Sequence, residues 1–164
     1  MNLFFDVDHT LVDLYDRLRP GVREVFSRLH RDGHAIYLWS GLGKRWEIVE
    51  RYGLEGLVTD CFDKPLYQYA RMLAPLGITV RPDYVVDDHP HLVHHFGGIV
   101  VSRYLKQDLG DTEMERVYSE ISRITSKPAQ KGAAPPPRRE RFRRGQSEAP
   151  RPKGRPRSPY RGAL

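Results

Sequence analysis

Six residues of this chain have the chemistry of a polar site and stand in suggestive places. Asp6 and Asp8 follow an apolar run, Ser40 follows another, Lys64 precedes Pro65, and Asp87 and Asp88 close Tyr84-Val85-Val86. Carboxylates can hold a hard cation through oxygen, pass protons or attack an electrophile. A hydroxyl can donate to an anion, and a lysine can offset its charge. Each residue alone has a plainer reading: Asp-x-Asp as a loop feature or helix cap, Ser40 as a turn residue, Lys64 as a solvated lysine, and Asp87-Asp88 as the cap of a following helix. The fold decides between these readings, according to whether it gathers the six.

The elements that must do so are legible as a pattern. Residues 3–7 form a short run, apolar except for Asp6, that reads as a buried strand of a parallel sheet. Pro20-Gly21 opens a helix with Val22, Val25, Phe26 and Leu29 at i, i+3, i+4 and i+7, ended by Gly33. Residues 34–39 read as a second buried strand, 44–52 as a shorter helix stopped by Gly53, and Leu57-Val58 as a brief strand. Pro65 is expected to start a helix through Leu66, Tyr69, Ala70 and Leu73, closed by Gly77. Strands follow at 84–86 and 98–101, separated by a short His-rich helix. Thr112 with Glu115 three residues on is a capping-box pattern, opening a last helix expected to bury Met114, Val117, Tyr118, Ile121 and Ile124. Alternating strands and helices predict an α/β fold with a doubly wound, mainly parallel sheet. Ligands bind such sheets beyond the carboxyl ends of the strands, where Asp6, Asp8, Ser40, Asp87 and Asp88 fall.

The segment Asp6-Val7-Asp8-His9-Thr10 resembles the first motif of the haloacid dehalogenase-like superfamily, Asp-x-Asp-x-Thr/Val, at the end of a strand. Three further checkpoints occur in order: Ser40 in Leu-Trp-Ser-Gly, Lys64 before a helix, and the closing pair of Val-Val-Asp-Asp. The resemblance covers roughly residues 2–125 and implies a Rossmann-like core. It also implies a phosphohydrolase in which Asp6 attacks phosphorus, and Asp8 protonates the leaving oxygen and then activates water. For Asp8 to act as an acid near neutral pH, its pKa must lie well above the free value of about 3.9. Mg²⁺, with its demand for oxygen ligands, is implied at the Asp6 carboxylate, the Asp8 carbonyl and one acid of Asp87 and Asp88. Ser40 is implied to donate to a phosphoryl oxygen, and Lys64 to offset the charge of nucleophile and phosphate. An acid at position 8 points to phosphoester hydrolysis, because the similar dehalogenases and P-type pumps lack one there. His9 departs from the family pattern, where many relatives have Gly, which bears on the turn or the pocket rim.

Spacing narrows the architecture. Asp8 and Ser40 lie 32 positions apart, much of it used by a helix, and Ser40 and Lys64 lie 24 apart. Neither interval has room for the helix-and-sheet lid that capped relatives insert, so a capless, open site is expected. Open sites in this superfamily often serve macromolecules such as phosphoproteins or nucleic-acid ends. Gly41, Lys44 and Arg45 are candidate substrate-binding residues on the rim, whereas Trp46 beside Val49 reads as core. His91 and His95 are spaced i, i+4, but no cysteine or helical carboxylate completes a metal set, so a surface helix is expected. His89, next to the acidic pair, is placed to reach a substrate.

Charge separates two regions. The segment 127–164 carries 12 Lys and Arg against 2 acids and holds 8 of the 13 prolines. The preceding residues carry 15 bases and 19 acids, so the high pI of the chain belongs to its tail. A phosphohydrolase domain over 1–126 and a disordered basic tail over 127–164 are expected, since the tail has too little apolar material to offset its ordering entropy. Within it, Gly154, Arg155 and Pro156 resemble the core of an AT-hook, which would lie in a narrow minor groove. Nucleic acid is therefore a candidate partner, bound mainly through non-specific attraction to phosphates. The rival to an enzyme is a nucleic-acid-associated binding module whose phosphatase-like domain is only a scaffold. Cys61 is the sole cysteine, which excludes an internal disulfide. No apolar run approaches a membrane span, and the N-terminal apolar stretch ends at Phe5, unlike a signal peptide. A cytoplasmic protein with no membrane partner is the expectation.

Overall fold

A computed structural model of the chain describes residues 1–126. The basic segment 127–164, including Gly154, Arg155 and Pro156, lies outside the described residues. Strands and helices alternate throughout: β1 (Asn2–Asp6), α1 (Val22–Arg31), β2 (Ala35–Ser40), α2 (Trp46–Arg51), β3 (Val58–Asp63), α3 (Tyr69–Met72), β4 (Tyr84–Asp87), α4 (Pro90–Phe96), β5 (Gly98–Val100) and α5 (Glu113–Ser126). The five strands form one sheet in the order β3-β2-β1-β4-β5, and every pairing is parallel.

Both faces of the central strand are buried, which explains its unbroken apolar run. Leu3 and Phe5 point to one face, where Val22, Val25, Phe26 and Leu29 of α1, Ile48 of α2, and Met114, Val117 and Ile121 of α5 cover them. Phe4 points to the other, stacked on Tyr37 at 4.8 Å and tilted against Trp39 at 4.9 Å. Leu92 and Val93 of α4 close that second layer. Cys61 is buried in the first, and burial pushes its thiol up to about 12, so it packs as a small apolar residue.

Gly98 shows how tightly the sheet edge is built. It pairs with Val85 across β4 and β5 at φ +151°, and a Cβ there would sit 1.9 Å from the Val85 carbonyl oxygen. Backbone cannot yield as a flexible side chain can. Gly98→Ala is expected to cost about 2–4 kcal/mol, read as a lower urea midpoint at unchanged slope; an unaltered midpoint would contradict this packing.

Three local expectations change. β3 is six residues long and not a brief Leu57-Val58 strand, because Cys61 and Phe62 are buried against β2 while Thr59, Asp60 and Asp63 mask the apolar pattern. The helix expected from Pro65 is confined to Tyr69–Met72: Gln68 takes φ +46°, leaving Leu66 and Tyr67 exposed in the preceding loop. The capping box of the last helix is not made. Asp111 Oδ1 accepts the Glu113 N–H at 2.9 Å instead, while Arg28 engages the Glu115 carboxylate at 2.8 Å. On α5, Met114, Val117 and Ile121 are buried and Tyr118 partly so, but Ile124 is exposed.

Candidate functional site

From β1 the chain moves outward to β2 and β3, then returns to the other side of β1 for β4 and β5. The connections after β1 and β4 thus diverge, and a crevice opens where these neighbouring strands end, the usual ligand position in such sheets. Their register pairs Phe5 with Val86, so the next residues along are Asp6 and Asp87. Both carboxylates are buried. Two acids side by side out of water repel each other, and Lys64 compensates both: its Nζ lies 2.6 Å from Asp6 Oδ1 and 3.2 Å from Asp87 Oδ2.

The balance remains short of positive charge. Burial, reinforced by the nearby Asp87, pushes Asp6 up to about 7 despite Lys64 and the Thr10 hydroxyl, which donates to Asp6 Oδ2 at 3.0 Å. Asp87 is raised as well, first by burial, although Lys64 and the His89 N–H (2.9 Å) oppose the shift. Burial acts to lower Lys64, but the two carboxylates outweigh it and hold the ammonium above its ordinary range. The Lys64 N–H donates to the Ser40 carbonyl at 2.8 Å, tying the ends of β2 and β3 together. Two buried carboxylates sharing one lysine suit a hard divalent ion, with the His89 ring nitrogen 3.4 Å from Asp87 Oδ1 beside these oxygen donors.

Asp8 lies two residues further along the chain. Its carboxylate accepts from the Ser40 hydroxyl on one oxygen and from Arg45 on the other. The same Arg45 guanidinium reaches Asp16 at 2.5 Å and also engages Glu47. Arg45 is therefore a buried link between Asp8 and two further acids, and not the open rim residue expected from its position. Ser40 Oγ also accepts the Leu42 N–H at 2.8 Å, which orients the hydroxyl. His9, between Asp8 and Thr10, has φ +63°. This conformation is one that glycine adopts freely and histidine tolerates better than most residues.

Asp88 faces away from this pair. Its carboxylate meets His89 Nδ1 at 2.7 Å and Arg103 Nε at 2.8 Å. Asp87, Asp88 and His89 bring potential metal-ligand atoms within 4.8 Å of one another. His91, His94 and His95 are exposed on α4, as a surface helix would have them.

The structure thus brings Asp6, Asp8, Ser40, Lys64, Asp87 and Asp88 to one edge of the sheet. Gly41 and Lys44 are exposed in the loop after β2, and Trp46 is 38% exposed, so it is not the core residue that its spacing suggested.

Sequence reasoning missed two supporting residues. Thr10 stands inside the first motif, where its hydroxyl donates to Asp6. Arg19 gave no signal, since an arginine ahead of Pro-Gly reads as solvated. It is in fact fully buried, with a bidentate bond to Asp111 (3.0 and 2.9 Å) and a bond to the Thr10 carbonyl at 3.0 Å, and so braces the loop that supports Asp6. No known protein-family profile matches this chain, and no curated protein matches it.

Proposed function

We propose that this chain is a Mg²⁺-dependent phosphomonoester hydrolase with a capless core of the haloacid dehalogenase type, acting through an aspartyl-phosphate on Asp6. The observation that carries the reading is the buried Asp6, beside Asp87 at the switch crevice, with Lys64 bonded to both.

In this reading an Asp6 carboxylate oxygen forms a bond to phosphorus as the ester P–O bond breaks. Asp8, once it has exchanged its Arg45 contact for a proton, gives that proton to the leaving oxygen. Water then attacks the same phosphorus, the bond to Asp6 breaks, and Asp8 recovers a proton as inorganic phosphate is released. Lys64 and Thr10 hold the two oxygens of Asp6 in place. Ser40 and Arg45 orient Asp8 and are the donors nearest to it for a phosphoryl oxygen. Asp6, Asp87 and the Asp8 carbonyl would hold Mg²⁺, whose part is to neutralise charge on the transferred group.

The connections from β1 to β2 and from β2 to β3 contain only α1 and α2 as regular elements, which supports an open site. Its surroundings favour a polypeptide over a nucleic-acid end. Leu14, Tyr15, Leu42, Leu66, Tyr67 and Leu109 are all strongly exposed, and all lie in loops at the carboxyl ends of strands. Concentrated exposed apolar side chains mark a surface that meets another molecule.

The test is hydrolysis of p-nitrophenyl phosphate by the full chain. Turnover with Mg²⁺ and none in excess EDTA is expected. A contamination-free preparation that turns over no faster than buffer would return the domain to the rival reading, a scaffold without catalysis.

A further inference from the structure

A small cleft of about 120 Å³ opens beside the acid cluster, between the loop after β3 and the start of α4. Its walls are Pro65, Leu66, Tyr69 and Leu92 with the exposed His91 among them, and its polar end is formed by Lys64 and His89. That end joins the proposed reaction centre directly. Lys64 is bonded to Asp6 and Asp87, the His89 N–H donates to Asp87, and the His89 ring meets Asp88. Tyr69 is itself held, with its ring 5.3 Å from that of His95 in a T-shaped contact.

Resting on the phosphohydrolase reading, we propose that this cleft is the leaving-group subsite and that it takes one aromatic ring, so that the preferred substrates are aryl phosphate monoesters. Size and chemistry agree. An apolar cavity of about 150 Å³ accommodates benzene, and a cleft of similar size has no room for a sugar with its base. Its mainly apolar lining, with polar side chains at Lys64, His89 and His91 alone, offers a sugar or polyol few partners for its hydroxyls. A flat ring instead gains apolar contact and an aromatic neighbour in Tyr69. With its ring in the cleft, an aryl ester has its phosphate at the Lys64 end, against Asp6.

Binding of non-hydrolysable phosphonates separates this proposal from the one beneath it. Benzylphosphonate presents a ring one atom from phosphorus, as an aryl phosphate does, and propylphosphonate is its ringless counterpart. With Mg²⁺ and the full chain, calorimetric titration is expected to show benzylphosphonate binding about tenfold more tightly. Leu66 is 65% exposed, so Leu66→Ser should leave the fold intact. It should reduce the ring's advantage to about threefold or less, because benzylphosphonate loses more apolar contact than propylphosphonate does. Equal binding of the two ligands, or an undiminished ring preference in Leu66→Ser, would overturn the subsite even if p-nitrophenyl phosphate is hydrolysed. A ring preference without hydrolysis would uphold the subsite and sink the catalytic reading. A peptide carrying phosphonomethyl-phenylalanine identifies the source of the ring: tighter binding than benzylphosphonate assigns it to a phosphotyrosyl polypeptide, weaker binding to a free aryl phosphate.

Discussion

Asp6→Asn is expected to remove turnover, by a factor on the order of 10³ or more, while the protein stays folded. The amide keeps the shape of the carboxylate but cannot form an acyl-phosphate, so the first bond of the proposed reaction is never made. The fold should not suffer, and the reason lies in the burial of this side chain. Removal from water pushes Asp6 from 3.8 up to about 7, so the folded chain binds this proton more tightly than the unfolded chain does. The cost of ionising Asp6 is absent below about pH 3.8 and fully present above about pH 7. Asparagine never incurs it. At neutral pH the variant should therefore unfold at a denaturant concentration equal to or above that of the native chain, although the loss of a partner for Lys64 offsets part of the gain. A pure sample that keeps more than a few per cent of its activity would remove Asp6 as nucleophile. A variant that unfolds early would show that Asp6 supports the fold more than the chemistry.

The second large effect concerns the cation. Activity should disappear in excess EDTA and return with Mg²⁺. Asp87→Ala should raise the Mg²⁺ concentration for half-maximal rate on the order of 100-fold, and Asp88→Ala by about tenfold at most. The difference follows from what each acid touches. Asp87 is the register neighbour of Asp6 and shares Lys64 with it, so its loss takes an oxygen donor from the crevice. Asp88 is turned toward His89 and Arg103, and its loss frees two exposed side chains at the margin. Full activity in EDTA would defeat the metal-assisted mechanism. A larger effect at Asp88 than at Asp87 would move the cation to the group formed by Asp87, Asp88 and His89.

Much of this arrangement could be read before any folding. Two-sided burial writes a strand as an unbroken apolar run, so Leu3-Phe4-Phe5 and residues 84–86 announced central strands, and the acids that ended them marked the carboxyl edge. The first motif and the order of Ser40, Lys64, Asp87 and Asp88 were legible because each is set by its distance from such an edge. The 3.6-residue period of Val22, Val25, Phe26 and Leu29 did the same for α1, and those four residues are buried as the period requires.

Strand order, by contrast, is a property of pairing, and pairing leaves no local mark. Only the tertiary structure seats β4 beside β1, and so makes Asp6 and Asp87 neighbours that share one lysine. The same holds for charges whose solvation depends on distant partners. Arg19 and Arg45 look like surface arginines in the chain, yet both are buried because Asp111 in one case, and Asp8 and Asp16 in the other, arrive from elsewhere in the fold. Leu66 and Tyr67 resembled the first turn of a helix until the left-handed backbone at Gln68 interrupted it, leaving them at the edge of the site. Local periodicity determined the elements and the identity of the acids; long-range pairing, which alone places charges out of water beside one another, decided what those acids face.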